Sequence, residues 1–546
     1  MRNLLTVCTG LVVLAATAAC DSGPGRAKEP PVLKVTSPVR SLIQGHAGPI
    51  TVAGTVEPNA QGDRVEQVLV NNVEATVSAD GSFHAQVDVG QGAMLIQTVA
   101  RDVNGTTASD TRAVQAGQLR PVGANLDHAI TAAMSADAFA KLSAAAGPIL
   151  KGINVAQLLA PLQPMVNVGG SLANFKLTVN DVKFSDIKIG LRPVQGGLMF
   201  SAEIDKLDVP GHIDYAGTLV PDGSTAVRVT ADKVTVAGTL SVTPAGMAGF
   251  KTKLDSPAVH LTNLKLDAGG VPGAILDLLD LDAVMQVVVA KGAELLMGPL
   301  VNLALGALGG PQQLDVLGHK LDLQVAPSAV AFDPTGAVLG MNMKVMLQGS
   351  ETSPGFLFTD NAAPVMDAGY GFQLGLADDL VNELFAELHA LGALNLSLPN
   401  DVGSFDTAQV QLTMPPVLSA DAAGGEMRIV LGDMFATFTR KGTPVGKAAI
   451  NAKIELKIAP VVGGGSVALQ LGTPEIHVDT LDDIANASGL ADKDLESGVA
   501  ASIGAQIDSI TKLLVAIPLP AIAGLQLHNL AIGSDDGYVL VSGQLQ

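Results

Sequence analysis

The stretch NFKLTVNDVKFSDIKIGLRP, Asn174–Pro193, decides the fold of the central part of the chain. Its apolar and polar residues alternate, which is typical of a strand that buries one face. Phe175, Leu177 and Val179 share one face, but the alternation changes phase twice before Leu191. Because a shift of one residue turns the buried side chains to the opposite face, we expect bulges or bends that curl the sheet.

Helical patterns lie on both sides of these strands. Apolar residues from Leu126 to Leu162 recur near one side of a helix and predict a long amphipathic segment, interrupted near Gly147. The most apolar segment, Val271–Gly310, predicts one or two helices buried against the sheet. A membrane span is the alternative for its charge-free end, but glycine and proline interrupt that end and favour buried helices.

The second half of the chain repeats the order of helix, strands, helix and strands. Its first helix is predicted within Leu374–Leu394, where one face carries Leu376, Leu380, Leu384, Leu388 and Leu391. Strand-like runs follow, then a helix from about Lys493 to Ala516 and closing strands within Ile517–Leu545. Two halves with one element order predict two related modules.

Composition limits the classes of function. The chain has 546 residues, enough for three or more domains, and tryptophan is absent, so aliphatic side chains must supply the core. Its formal net charge of -20 repels nucleic acid and anionic membrane surfaces. We therefore expect no nucleic-acid partner.

The first twenty residues predict export. Arg2 precedes an apolar stretch that ends in small residues before Cys20, and residues 1–20 are interpreted as a signal peptide. The ending Thr17–Cys20 resembles the lipobox of bacterial lipoproteins, which implies cleavage before Cys20 and acylation of that residue. A plain signal peptidase site is the alternative. Residues 21–31 have the glycine, proline and charge content of a flexible tether.

Residues 32–118 predict an independent β-sandwich. Short alternating runs are separated by turn residues, with Asp80 and Gly81 as one hairpin turn. The pattern resembles bacterial immunoglobulin-like modules of secreted proteins. We interpret this module as a spacer.

The remaining chain carries a family resemblance. Leu374–Leu394 and Ile517–Leu545 resemble the opening helix and terminal strands of the second barrel of bactericidal/permeability-increasing protein and lipopolysaccharide-binding protein, and Asn167–Met297 is similar to their first barrel. The resemblance implies an α+β fold of two tandem tubular lipid-binding modules, each a long helix wrapped by a strongly bent antiparallel sheet. The first barrel would span residues 125–350 and the second 370–546, joined by a connector at 351–369. The basic tip and the disulfide of the vertebrate relatives have no counterpart here.

The tubes implied by this resemblance would hold acyl chains against aliphatic side chains, because burial of apolar surface drives such binding. For the first tube, the expected lining combines alternating strand residues with a helix: Leu198, Phe200, Ile204, Ile275, Leu278, Leu279 and Val287. For the second tube it is Leu525, Leu527, Leu530 and Ile532. The alternative for each residue is ordinary core packing.

No enzyme motif accompanies these patterns. The sequence has no G-x-S-x-G elbow, no H-E-x-x-H helix and no P-loop, so we expect no catalysis, metal or cofactor. The run GSDDGYV, Gly533–Val539, is interpreted as a hairpin turn, with calcium binding as the alternative.

The expected function is non-enzymatic lipid binding, and possible transfer, in the bacterial cell envelope. The protein would be anchored by acylated Cys20, with the outer membrane preferred over the inner. Its partners would be phospholipids or other acyl-chain lipids. The alternative function is a structural or adhesive surface lipoprotein with a filled interior.

Overall fold

The computed structural model describes most of the chain after its first 28 residues. The described ranges are 29–152, 154–160, 163–169, 174–216, 222–269, 281–305, 310–359, 362–367, 371–399, 405–422, 426–461, 466–483, 517–518, 522 and 524–546. None of the helices in these ranges combines the length and apolarity needed to span a membrane.

The N-terminal module is a two-layered β-sandwich. Its strands are β1 Val32–Ser37, β2 Leu42–Gln44, β3 Gly48–Glu57, β4 Val65–Val70, β5 Val73–Glu74, β6 Thr76–Val77, β7 Ser82–Val89, β8 Gly92–Asp102 and β9 Thr107–Ala116. One sheet has the order β1-β3-β7-β6 and the other β2-β9-β8-β4-β5. Alternate residues of both sheets, including Val52, Val68 and Val114, form a fully buried core between them. The predicted all-β sandwich is therefore present in this region.

The middle of the chain consists of long strands with helices between them. In order, the elements are β10 Gln118–Arg120, β11 Leu126–Ser135, α1 Ala136–Lys151, α2 Val155–Leu159, β12 Val166–Gly169, β13 Asn174–Val179, β14 Asp186–Val194, β15 Gly197–Ala216, β16 Gly223–Pro244, a 3-10 turn at Gly246–Ala248, β17 Phe250–Thr262, β18 Lys265–Asp267, α3 Leu281–Leu305, β19 Gly310–Val316, β20 His319–Asp333, β21 Gly336–Leu347 and β22 Phe356–Phe358.

The last third is also dominated by strands. Its elements are β23 Phe372–Ala377, α4 Asp379–Ala390, β24 Leu396–Pro399, β25 Thr407–Gln411, β26 Val417–Ala422, β27 Glu426–Arg440, β28 Thr443–Pro460, β29 Ser466–Leu471, β30 Glu475–Asp483, β31 Ile517–Pro518, β32 Leu527–Asp535 and β33 Tyr538–Leu545. The predicted helix from Lys493 to Ala516 lies outside the described residues.

Three large sheets follow the sandwich. The first has the order β12-β13-β15-β16-β17, with β14 and β18 paired to β15 and β16. A second sheet, β19-β20-β21-β11-β23-β33-β32, contains strands from both predicted halves. The third runs β24-β25-β27-β28-β29-β31, with β26 and β30 paired to β27 and β28. Because β11 pairs with both β21 and β23, the two halves share one sheet.

The predicted fold class is wrong. Strands account for most of the described residues, and the helices α1, α3 and α4 have only 16, 25 and 12 residues. The described sheets do not wrap long helices into two separate tubes. The fold is predominantly β, with helices packed along open sheets.

The helix predicted from Leu126 to Leu162 is wrong in its first part, which forms a strand. Leu126–Ser135 is the strand β11, and nearly all of its residues from Ala129 onward are buried. A central strand covered on both faces loses its alternation, so its apolar run reads like part of a helix. The helix begins only after Ser135, whose hydroxyl accepts a hydrogen bond from the Ala138 N–H as an N-cap.

The changes in apolar alternation within Asn174–Pro193 come from a break between two strands and not from a bulge within one strand. The stretch forms two strands, β13 and β14, which both pair with the long strand β15 and are joined by residues 180–185. A further change of phase occurs within β15 itself. In β15 the inward-facing side chains are at even-numbered positions as far as Ile204 and at odd-numbered positions from Leu207 onward. Lys206, between them, has a φ of +54°.

Candidate apolar cavity between a helix and the first sheet

The helix α3 packs on the first sheet, mainly against β17, and encloses a cavity with β14, β15 and α2. On the sheet side the wall is formed by inward-facing residues of neighbouring strands: Ile187, Ile189, Phe200, Ala202, Ile204, Leu207, Val209 and Val236. On the helix side it is formed by Met285, Val288, Val289, Gly292, Ala293 and Met297. Val155 and Leu159 of α2 and Val182 complete the lining. Every lining residue is therefore apolar.

The sequence places these residues inward by strand alternation. Phe200, Ala202 and Ile204 are two positions apart on β15, so their side chains point to the same face. Ile187 and Ile189 on β14 lie opposite Ile204 and Ala202 in the antiparallel register. The result is a continuous aliphatic surface across two strands.

Charged residues next to the lining point to the outer face. Glu203, between Ala202 and Ile204, pairs with Lys233 over 2.7 Å. The Lys233 ammonium holds the pKa of the Glu203 carboxyl below its usual range. Since none of the described lining residues is ionisable, binding there would depend on apolar contact alone.

The cavity is narrow. Its volume is about 70 Å³, roughly half of the 150 Å³ apolar cavity known to bind benzene. Half-buried Val182, Ile204 and Val289 lie at its margin, whereas Phe200 and Met297 are 1% exposed. With this spacing of helix and sheet, the cavity holds only a short portion of an acyl chain.

The structure brings two of the expected lining residues of the first tube to this cavity. Phe200 and Ile204 line it. Leu198 is buried in the same hydrophobic core but does not contribute to the cavity wall. Val287 lies in α3, although its side chain is not among those described. Ile275, Leu278, Leu279 and the acylation candidate Cys20 lie outside the described residues.

The expected lining of the second tube lies elsewhere. Leu527 is 2% exposed and packs in the core that continues behind the cavity. Leu525 and Leu530 pack against that core, and Ile532 is half-buried on the edge strand β32. These four residues do not line the cavity.

Sequence reasoning missed most of the helix wall. Met285, Val289, Ala293 and Met297 recur every four residues, which places them near one side of α3. That spacing was detectable, but the surrounding positions are also apolar, so periodicity alone does not separate the face toward the cavity from the others.

The described residues contain no group of three or more His, Cys, Asp or Glu side chains that could hold a metal ion. Asp536 and Gly537 connect β32, which ends at Asp535, to β33. Asp536 and Gly537 have φ values of +40° and +82°, as a tight hairpin turn requires.

A comparison with known protein families matches only the sandwich module. The profile of the family described as Glucodextranase, domain B, matches residues 31–118, the sandwich module. No curated protein matches the chain.

Solved structures similar to the chain include a lipopolysaccharide binding protein, at 12% identity and a TM-score of 0.36, covering 77% of this chain and 98% of that one. P47 from Clostridium botulinum A2 is 8% identical with a TM-score of 0.25, covering 77% and 98% of the two chains. P47 of Clostridium botulinum E1 is 10% identical with a TM-score of 0.27, covering 78% and 100%. These scores are too low to transfer a ligand or an activity to this chain.

Proposed function

We propose that this protein binds an acyl chain of a lipid in the cavity between α3 and the first sheet, without catalysis. The observation that carries the proposal is the lining, which is apolar at every described position. A reactive centre needs polar or ionisable groups, whereas retention of a hydrocarbon needs only apolar surface.

Burial of methylene groups would supply the binding energy. Each buried methylene contributes about 0.8 kcal/mol, so a few methylenes offset only part of the cost of ordering a ligand. A longer chain requires α3 to move away from the sheet. Met285 and Met297 suit such a movement because unbranched methionine side chains repack readily.

We also propose that the protein is held in the bacterial cell envelope by acyl chains on Cys20, in the outer rather than the inner membrane. The support is the lipobox-like sequence followed by a flexible tether. Lipid transfer between membranes would be a further step beyond binding.

The narrow volume favours a second candidate, a structural surface protein in which the cavity is only a packing defect. Extraction of the purified protein with organic solvent, followed by mass spectrometry, separates the two. Lipid binding predicts close to one acyl-chain lipid per protein molecule. A protein that carries no lipid, and that takes up no fluorescent fatty acid when this is supplied, supports the structural candidate instead.

A further inference from the structure

A polar cleft separates the sandwich module from one end of the third sheet. Residues of β28 and β30 that face the module include Lys453, Glu475, His477 and Asp479; the register pairs Lys453 with Glu475. At the Asp479 end this face is closed against the module. At the Lys453 end it opens into a cleft of about 340 Å³.

The closed end holds the two walls at a fixed separation. Arg40 of the module donates to Asp433 Oδ1 over 3.0 Å and to Asp479 Oδ2 over 3.2 Å. Gln115 donates to the Pro415 carbonyl oxygen over 2.7 Å. These contacts are buried or nearly so, and they hold the module firmly against the third sheet. The adjoining cleft is therefore a defined part of the fold and not a gap between loosely tethered domains.

The walls of the cleft carry hydrogen-bonding groups from opposite sides. The module contributes Asn71, Asn72 and Gln97, and the third sheet contributes Arg428, Lys453, Glu475 and His477. Asn71 is occupied by its own turn, since its Oδ1 accepts from the Gln97 N–H over 2.8 Å. Asn72 is exposed and has no such bond to the described residues.

Arg428 is the unusual member of this group. Its Nε is buried and donates to no described residue, and none of the described carboxylates forms an ion pair with its guanidinium. Lys453, by contrast, is neutralised by Glu475, which also contacts His477 Nε2 at 3.1 Å. The Glu475 pKa is lowered mainly by its hydrogen bond to Lys453. The cleft therefore retains the positive charge of Arg428 in a chain whose net charge is -20.

A buried guanidinium N–H without an acceptor is costly, because its desolvation is not compensated. A bound oxyanion would remove that cost, and the planar fork of arginine matches such a group with two parallel hydrogen bonds. A tetrahedral phosphate has more acceptor oxygens than a carboxylate and suits donors that arrive from both walls.

We propose that this cleft binds the phosphate group of a small molecule or of a lipid headgroup, with Arg428 as the principal ligand and Asn72 on the opposite wall. The proposal is independent of acyl-chain binding in the apolar cavity. Either site could be present without the other.

The test is isothermal titration calorimetry on the full chain at low ionic strength, with inorganic phosphate, glycerol 3-phosphate and phosphatidylglycerol vesicles as separate probes. Arg428→Gln removes the charge, and Asn72→Asp places a negative charge on the exposed turn without altering the sheet. Arg101→Gln is the control, because Arg101 forms an exposed pair with Glu66 in the same module.

We expect each cleft variant to weaken binding at least tenfold and the control to bind like the unmodified chain. Binding of a soluble phosphate identifies a small molecule as the source, and binding only to vesicles identifies a headgroup. The proposal is overturned if the unmodified chain binds none of the three probes at millimolar concentration, or if Asn72→Asp, shown to be folded by its melting curve, binds unchanged.

Discussion

Arg40 Nη1 donates a hydrogen bond to Asp433 Oδ1 over 3.0 Å, between residues 393 positions apart in the chain. The Arg40 side chain is 11% exposed and that of Asp433 is completely buried. Asp110 and Asp479 also pair with Arg40. The sandwich module is therefore docked on the third sheet through a buried ionic cluster, a contact that the interpretation of the module as a spacer did not include.

The first prediction concerns this cluster. Arg40→Gln leaves Asp433 and Asp479 without a cationic partner among the described residues, whereas Asp110 keeps its pair with Arg112. Loss of one member of a buried pair costs about 3–5 kcal/mol. We expect a loss of that order in the free energy of unfolding, measured by urea denaturation, and faster proteolysis between the module and the rest of the chain.

Arg101→Gln provides the control for Arg40→Gln. The Arg101–Glu66 pair is nearly half exposed on both sides, and such pairs contribute about 0–1 kcal/mol. Equal stability of the two variants would contradict the structural role assigned to Arg40.

A second prediction concerns the buried carboxyl of Glu383 on α4. Its Oε1 accepts a hydrogen bond from the Gly123 N–H over 2.7 Å, whereas its Oε2 is buried without a described partner. Burial raises the Glu383 pKa to about 8. The folded protein therefore holds a proton that the unfolded chain releases near its ordinary pKa of 4.5.

The sign of the effect follows from this difference. Between pH 4.5 and about 8 the folded state binds more protons than the unfolded state, so the contribution of Glu383 to stability falls as pH rises, by at most about 1.4 kcal/mol per pH unit. Glu383→Gln should match the unmodified protein near pH 4.5 and exceed it in stability at pH 8. Urea denaturation at both pH values measures this, with the exposed Glu74→Gln as control. A variant that is less stable than the unmodified protein at pH 8 would show that Glu383 is ionised in the folded state.

The third prediction concerns anchoring. Cys20→Ala removes the acceptor of the acyl chains, and hydrophobic transfer of two or three chains is what holds a lipoprotein to a bilayer. We expect the variant to leave the membrane fraction or to accumulate with its signal peptide attached. Mass spectrometry of the unmodified mature N-terminus is the direct check. A fully soluble protein without acyl mass there means that an ordinary signal peptidase acts.

The alternation of β15 allowed part of the cavity to be predicted from the sequence. The sequence predicts that Phe200 and Ile204 share one inward face, and the structure places both in the wall. This worked because a half-buried strand keeps its period of two. The fully covered strand β11 has no such period, and its pairing with β21 and β23 depends on contacts distant in sequence.

The helix α4 shows a different limit of sequence reasoning. Five leucines predicted its buried face, but Leu376 lies in the strand β23 and Leu391 follows the end of the helix. Within α4, Asp379, Asn382, Glu383 and Glu387 are buried with Leu388. The polar side chains accept hydrogen bonds from backbone N–H groups: Asn382 from Leu418, and Glu387 from Leu347. Such partners exist only after the sheets are assembled, so local patterns cannot identify them. The same holds for Arg40 and its carboxylates.

The central claim, acyl-chain binding in the cavity under α3, is tested most directly by uptake of a fluorescent fatty acid by two variants with substitutions on opposite faces of β15. Ile204→Asp places a carboxylate in the apolar wall, where an unpaired charge costs several kcal/mol. Met199→Asp places it on the outer face of the same strand, where Met199 is 45% exposed. With circular dichroism and melting curves to establish that both variants fold, we expect Ile204→Asp to lose uptake at least tenfold and Met199→Asp to retain it. Normal uptake by a folded Ile204→Asp variant, or equal loss in both variants, would contradict binding at this cavity.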